Sequence, residues 1–222
     1  MRSTRTLLLL GALSTAACNS EPAANSNPAG SGFRVVNVAG PGALTVKVDA
    51  VSVFTGVGQG VRTAFHAVTP GMHTLRIEQG TPITRATEQD INFAVGDTLT
   101  VAAIDSSGNL GTGVLSDTGV IASPGHGKLR VVNVAAGHPP LDFWWTRPDN
   151  ATPSLVMAPF PYLAASPYFE SIPGDWRLFV TPEGLTDTLA SLGPIPVDDG
   201  QTWTVYLTDI SDTLAMYGVR DR

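Results

Sequence analysis

Arg34-Val35-Val36-Asn37-Val38-Ala39 decides the fold, because the same six letters return as Arg130-Val131-Val132-Asn133-Val134-Ala135. The two copies are 96 positions apart, about the length of one small domain. Two further blocks recur in the same order: residues 68–77 match 171–180, and residues 96–101 match 200–205. Three colinear matches predict two copies of one module. The offset rises from 96 to 103 after the first block, which places an insertion in the second copy between Ala135 and Pro173.

The composition favours short strands and turns. The chain of 222 residues is 43% hydrophobic, which is enough for a globular core, and it contains 23 glycines and 17 prolines. So many chain breakers argue against long helices. The formal net charge is −6, and no cluster of Lys or Arg is present. Nucleic acid is therefore excluded as an expected partner, and so is electrostatic docking on anionic lipid.

Alternating apolar residues indicate strands with one face towards a core. The pattern occurs at Leu44, Val46 and Val48 and again at Leu141, Phe143 and Trp145, with the residues between them expected to face solvent. Residues 98–103 and 202–207 alternate in the same way. We therefore predict an all-β protein with two tandem β-sandwich domains, immunoglobulin-like or transthyretin-like. The expected domains are residues 32–123 and 128–222, divided at the breaker cluster 123–127.

The N-terminus reads as an export signal. Arg2 and Arg5 precede a short apolar run and small residues, which is typical of a secretory signal peptide over residues 1–17. Thr15-Ala16-Ala17-Cys18 resembles a bacterial lipobox, so Cys18 is the expected lipidation site, followed by a flexible tether over 18–31. The alternative is ordinary secretion with a lone thiol. Asn19 after the cysteine favours the outer membrane, so we expect a membrane-anchored lipoprotein of the cell envelope, on its periplasmic or surface face.

The start of each module resembles the bacterial domain-of-unknown-function family numbered 4397. The resemblance rests on residues 34–38 and 130–134, on the Pro-Gly turns at 70–71 and 173–174, and on the closing strands at 96–101 and 200–205. It implies tandem β-modules behind a lipoprotein signal. The family often carries an Asp in its second strand, a position held by Asp142 in the second module and by Thr45 in the first. The resemblance implies no activity and no catalytic residues.

Motifs for chemistry are weak in this sequence. No Cys pair, His-Glu-x-x-His motif or EF-hand loop is present, so no metal or other cofactor is expected. Loop acids near glycines leave a calcium site open as a minor alternative. His73 is expected to be packed or half-buried, and His138 to be solvated. No nucleophile elbow occurs, and we predict that the protein is not an enzyme.

Aromatic residues crowd the region that carries the insertion. Trp144, Tyr162 and Tyr168 are the candidate contacts for a ligand or partner, because Trp144 occupies an outward position beside a proline-rich loop. We predict that Trp144 is partly exposed, in contrast to Trp145; the alternative is that the loop folds over it. The expected function is a structural or interaction role, anchored to the membrane by lipid, with envelope proteins or glycans as partners. The alternative functions are carbohydrate binding through the aromatic residues of the second domain, and an unrecognised hydrolase.

Overall fold

The computed structural model describes residues 30–210 and 213–222. The expected signal peptide, Cys18 and the tether up to residue 29 lie outside the described residues. The first strand begins at Ser31, which the sequence assigned to the tether. Within the described ranges, no helix is long and apolar enough to cross a membrane.

The first domain contains eight strands. They are β1 (Ser31–Val38), β2 (Leu44–Val48), β3 (Val51–Val57), β4 (His66–Val68), β5 (Gly71–Gln79), β6 (Arg85–Phe93), β7 (Thr98–Ser106) and β8 (Asn109–Ser116).

The second domain repeats this series. Its strands are β9 (Gly127–Val134), β10 (Leu141–Arg147), β11 (Asn150–Phe160), β12 (Phe169–Ser171), β13 (Gly174–Pro182), β14 (Ala190–Val197), β15 (Thr202–Ile210) and β16 (Thr213–Arg220).

Each domain packs two four-stranded sheets against each other. The first domain has the sheet orders β4-β1-β7-β8 and β3-β2-β5-β6, and the second has β12-β9-β15-β16 and β11-β10-β13-β14. All pairings are antiparallel except β1 with β7 and β9 with β15, which are parallel. The two topologies are identical strand for strand. The predicted all-β fold with two tandem sandwiches is thus confirmed.

The alternating pattern builds a separate core in each domain. Leu44, Val46 and Val48 point inward from β2 while the residues between them are only half-buried. Leu141, Phe143 and Trp145 pack in the second core from the corresponding positions of β10. The predicted inner faces of these two strands are therefore confirmed.

The insertion lengthens one hairpin of the second domain. Leu44 pairs with Val57 across β2 and β3, 13 positions further along the chain, whereas the corresponding pair Leu141 and Phe160 is 19 positions apart. The extra residues extend β10 and β11 beyond the edge of the equivalent hairpin in the first domain.

The repeated Pro-Gly turns have a conformational reason. Gly71 and Gly174 both have a φ of 132°, a conformation that residues with a Cβ rarely adopt. Each glycine opens a long central strand, β5 or β13. The second repeated block is therefore preserved by backbone geometry at the start of that strand.

The two domains pack sheet against sheet, and this buries strands that the sequence predicted to be half exposed. The outward sides of β1 and β7 meet those of β9 and β15 in an apolar layer with Val36, Val38, Ile104, Val132 and Tyr206 at its centre. Residues 98–104 and 202–208 are consequently buried on both faces, apart from the half-buried Trp203. The expectation of a solvent-facing side on these strands was wrong, because the other domain occupies that side.

The asparagine of the repeated phrase holds the loops at the end of the first strand. Asn133 Nδ2 donates to the carbonyl of Phe160 at 2.8 Å, and its Oδ1 accepts from the amide of Ala135 at 3.0 Å. Asn37 makes the same contacts with Val57 and Ala39. Both side chains are buried, so each satisfies backbone groups that no water reaches.

Replacing this asparagine tests its contribution. Asn133→Ala should lower the free energy of unfolding by about 1–3 kcal/mol, because it leaves a buried carbonyl and a buried amide without partners. The control is Asn150→Ala at an exposed hairpin position, expected to change stability by less than about 0.5 kcal/mol. Urea unfolding measures both, and equal effects would contradict the assignment.

Candidate functional site

Trp144 lies on the outward side of β10. It is half-buried, as predicted, but Trp145 is half-buried as well, so the expected contrast between them is not found. Trp145 points into the second core, where its ring meets those of Phe169 and Trp176 edge to face. Orientation, rather than exposure, distinguishes the two tryptophans.

Trp144 belongs to a row of large side chains that crosses three strands. It pairs with Phe179 of β13 on one side and with Leu155 of β11 on the other. The rings of Trp144 and Phe179 are parallel to within 4°, with centroids 6.2 Å apart, and the indole N–H donates to Thr181 at 3.1 Å. Leu155 is 48% exposed. We call the outward side of β11, β10, β13 and β14 around this row the Trp144 face.

The same positions of the first domain carry charges. Lys47 and Arg76 form the strand pair that corresponds to Trp144 and Phe179 in the second domain. Both side chains form ion pairs with Glu78, at 2.9 and 2.8 Å. The first domain therefore covers this side of its sheet with ion pairs between two partly exposed cations and the buried Glu78. The second domain carries a pair of aromatic rings there.

Asp142 has a local structural role on this side of the sheet. It is buried, and its Oδ2 accepts a hydrogen bond from the amide of Gly184 at 2.9 Å. This contact ties the loop between β13 and β14 across one end of the Trp144 face, where Thr181 is buried too. The opposite end, at Thr146 and Arg177, stays open.

The structure does not bring the other two candidate residues to the Trp144 face. Tyr162 lies on the loop after β11, 36% exposed, with its hydroxyl 3.4 Å from Ser106 Oγ of the first domain. The hydroxyl of Tyr168 lies within 3.3 Å of Asp117, Thr204 and Asp221 in the contact between the domains. The three aromatic residues therefore do not form one site.

Tyr168 belongs to a buried polar cluster that is built from matching residues of both domains. We call it the interface cluster; its members are Arg34, Phe65, Thr100 and Asp117 of the first domain and Arg130, Tyr168, Thr204 and Asp221 of the second. In each domain the arginine Nε donates to the threonine, and the threonine hydroxyl donates to the aspartate. The arginine also lies over the aromatic ring of its own domain.

The ion pairs of the interface cluster cross between the domains. Arg34 Nη2 lies 2.6 Å from Asp221 Oδ1, and Arg130 Nη2 lies 2.9 Å from Asp117 Oδ1. Within the first domain, Arg34 Nη2 also lies 2.9 Å from Asp117 Oδ2, so the carboxylate of Asp117 contacts both guanidinium groups. The four side chains are at most 8% exposed. Such pairs are costly to break, because the remaining charge would be buried without a partner.

The cluster shifts the ionisation of its own members. Burial raises the pKa of the Tyr168 hydroxyl, and the charges of Asp221 and Asp117 raise it further. Burial also raises the pKa of Asp221, whereas the nearby Arg34 acts in the opposite direction. Tyr168 therefore stays protonated and donates to the carboxylates. The opening beside the cluster measures about 30 Å³, room for one water molecule rather than a substrate.

The loop acids that could suggest calcium are engaged by protein groups. Asp105 pairs with Arg85, Asp198 accepts from Gln201, and Asp199 accepts from the amide of Gly125. Among the described residues, no group of three or more His, Cys, Asp and Glu side chains is arranged to hold a metal ion.

His73 is half-buried, as predicted from the sequence. Its Nδ1 lies 2.7 Å from Asp49 Oδ2, and its Nε2 lies 2.8 Å from the carbonyl of Thr69. The hydrogen bond to Asp49 raises the pKa of His73 and lowers that of Asp49. The pair links the turn after β2 to the start of β5.

His138 was expected to be solvated, but its ring contacts a carboxylate. Its Nε2 lies 2.9 Å from Asp209 Oδ2, with the side chains 24% and 17% exposed. The pair lines a cleft of about 550 Å³ between the domains, together with Asp105, Ser107 and Gly108 of the first domain. This contact fastens the loop after β9 to the end of β15.

Sequence reasoning missed the interface cluster. The available signal was a charged residue, Arg34 or Arg130, that opens an otherwise apolar repeated phrase. A long guanidinium side chain on a central strand has to meet a carboxylate. The identity of that carboxylate was not readable, because Asp117 and Asp221 come after the last strand of each domain.

Breaking the interface cluster should cost more than breaking a surface pair. Arg34→Met should lower the free energy of unfolding by about 3–5 kcal/mol, because Asp221 loses its shortest ion pair. The control Arg147→Met removes the exposed pair with Asp149, which should cost less than about 1 kcal/mol. Guanidinium unfolding compares the two, and a loss no larger than that of the control would refute a stabilising role.

A comparison with known protein families identifies the family of this chain. No curated protein matches the chain. The family model described as a domain of unknown function, DUF4397, matches residues 31–144, which cover the whole first domain and the second as far as β10. This match spans more than half of the 222 residues. The chain therefore belongs to the DUF4397 family.

Proposed function

We propose that this chain is a non-enzymatic cell-envelope protein, anchored to the outer membrane by an acylated Cys18, whose second domain presents an interaction surface. The observation that carries the proposal is the exchange of side chains between equivalent positions. Where the first domain has Lys47 and Arg76, the second has Trp144 and Phe179. Aromatic rings are enriched where proteins bind partners, whereas lysine and glutamate are depleted there.

A structural role for the buried ionisable groups supports the non-enzymatic part of this proposal. The arginines and aspartates of the interface cluster form hydrogen bonds with one another, with threonine and tyrosine hydroxyls and with backbone carbonyls. They hold the domains in one relative position. The Trp144 face lies on the sheet that is remote from this contact, so the arrangement presents it rigidly to the surroundings.

The lipid anchor is proposed from the leader sequence alone. Acylation of Cys18 converts a lone thiol into a stable membrane attachment, since several acyl chains together bind firmly where one binds marginally. The residues between Cys18 and β1 are rich in Asn, Ser and Pro. A tether of this composition would hold the sandwiches away from the membrane surface.

Metabolic labelling tests the anchor. We expect radioactive palmitate to be incorporated into the full-length protein in bacterial cells, and the protein to sediment with membranes. Cys18→Ser should abolish both. Labelling that survives in the Cys18→Ser variant, or an unlabelled mature protein, would contradict acylation at this residue.

Photocrosslinking in intact cells tests the interaction surface. A photoreactive residue at Leu155, beside Trp144, should form a discrete crosslinked species, and Trp144→Ala in the same chain should remove it. The matched control places the photoreactive residue at Ser52 of the first domain. Ser52 pairs with Lys47 just as Leu155 pairs with Trp144 in the second domain. Crosslinking of equal yield from both positions would contradict a specific surface on the second domain.

Carbohydrate binding is the second candidate function. It is favoured by the parallel rings of Trp144 and Phe179, which offer apolar surface beside hydroxyl groups of Thr146, Thr188 and Ser191. Sugars present both a C–H face, which packs on aromatic rings, and hydroxyl groups that need hydrogen-bond partners.

A further inference from the structure

The open end of the Trp144 face continues into a groove. Two adjoining hollows of about 300 and 410 Å³ share Thr146 and Arg177 as lining residues. The first hollow includes Phe179 and Ser191, and the second includes Asp175. The groove therefore runs from Phe179, which pairs with Trp144, past Arg177. Because adjacent strands are about 4.8 Å apart, this distance is comparable to the length of a few sugar units.

Arg177 is the available cation of this groove. Its side chain is exposed. The guanidinium group forms no ion pair or hydrogen bond with any residue in the ranges 30–210 and 213–222. The other arginine in the groove, Arg147, already holds Asp149 at 3.0 Å. A guanidinium group without a carboxylate can bind an incoming anion through two parallel hydrogen bonds.

Packing positions Arg177 without neutralising it. Arg177 pairs with Thr146 across β10 and β13. On its other side lies Gly193 of β14, where a Cβ would come within 3.0 Å of Arg177 Cγ. The absence of a side chain at Gly193 thus lets the strand approach the aliphatic stem of Arg177. Arg177 itself lines both hollows of the groove.

The charges of the groove give a bound anion one favourable place. Asp175 lines the far hollow and would repel an anion there. On the side of Phe179, the polar side chains that line the hollow with Arg177 are Thr146, Thr188 and Ser191, all of which carry hydroxyls. A ligand that reaches both Arg177 and the rings would therefore combine an anionic group with a ring that can stack.

The first domain lacks this combination. The positions equivalent to Thr146 and Arg177 hold Asp49 and Thr74, and Asp49 Oδ1 accepts from the amide of Thr74 at 3.0 Å. Asp49 places a carboxylate at the position of the Thr146 hydroxyl, and Thr74 replaces Arg177. The groove is therefore a property of the second domain alone.

We propose that the groove binds an acidic polysaccharide, with a uronic-acid carboxylate on Arg177 and a neighbouring sugar ring against Trp144 and Phe179. This inference rests on the carbohydrate-binding function proposed above and names its ligand class. Arg177 selects the charge, and the aromatic pair supplies the stacking surface.

Isothermal titration of the full-length protein in detergent tests the proposal with two matched probes. They are the hexamer of β-1,4-linked mannuronate and β-1,4-mannohexaose, which differ in a carboxylate or a hydroxymethyl group on each ring. We expect the acidic hexamer to bind at least tenfold more tightly, and rising salt to weaken it. Arg177→Gln should remove this preference, whereas Arg76→Gln in the first domain should leave affinity within about twofold, because Arg76 lies outside the groove.

The variants separate failure of this inference from failure of the proposed function. Trp144→Ala should abolish binding of the acidic hexamer, with Lys47→Ala as the control in the first domain and a retained cooperative unfolding transition as proof of folding. Equal binding of both hexamers, lost in Trp144→Ala but not in Arg177→Gln, would overturn the acidic ligand and retain carbohydrate binding. Binding of neither hexamer would overturn this inference, while crosslinking from position 155 would still decide the interaction role.

Discussion

Burial of the central strands on both faces is the constraint on which the rest of the structure depends. β1 and β9 place one side of each strand in the core of their own domain and the other side against the opposite domain. Every residue of the repeated phrase is therefore enclosed. Val35 and Ala39 pack inward, Val36 and Val38 pack across the interface, and Asn37 holds the loops. A substitution at any of these positions would disturb a core, the interface or a buried hydrogen bond.

The interface cluster fixes the orientation of the two domains relative to each other. An apolar layer alone would tolerate sliding, because hydrophobic contact has little orientational preference. The pairs Arg34–Asp221 and Arg130–Asp117 accept only a narrow range of positions, since guanidinium and carboxylate groups bind in a defined geometry. Matching residues from each domain supply both pairs. The relative placement of the two sandwiches is thus specified by side chains that the duplicated module itself provides.

The outer sheets had freedom to diverge because no second domain covers them. In the first domain, Lys47 and Arg76 keep this surface charged through ion pairs with Glu78. In the second, Phe179 and Arg177 line a groove, and Trp144 pairs with Phe179 beside it. The longer hairpin of β10 and β11 adds Leu155 next to Trp144. Duplication followed by divergence of one outer sheet accounts for a pair in which one module resembles a scaffold and the other carries the candidate binding surface.

The sequence by itself determined the duplication, the all-β fold and the inner faces of β2 and β10. Repeats and period-two alternation can be read directly from the order of residues along the chain. It also pointed to Trp144 as an outward residue, since Lys47 stands at the equivalent place. Only the tertiary structure decided that β7 and β15 have no solvent side, that Tyr168 belongs to the interface cluster, and that Phe179 and Arg177 join Trp144. These outcomes depend on contacts between residues far apart in the chain, such as Arg34 with Asp221, and no local pattern encodes which distant surfaces meet.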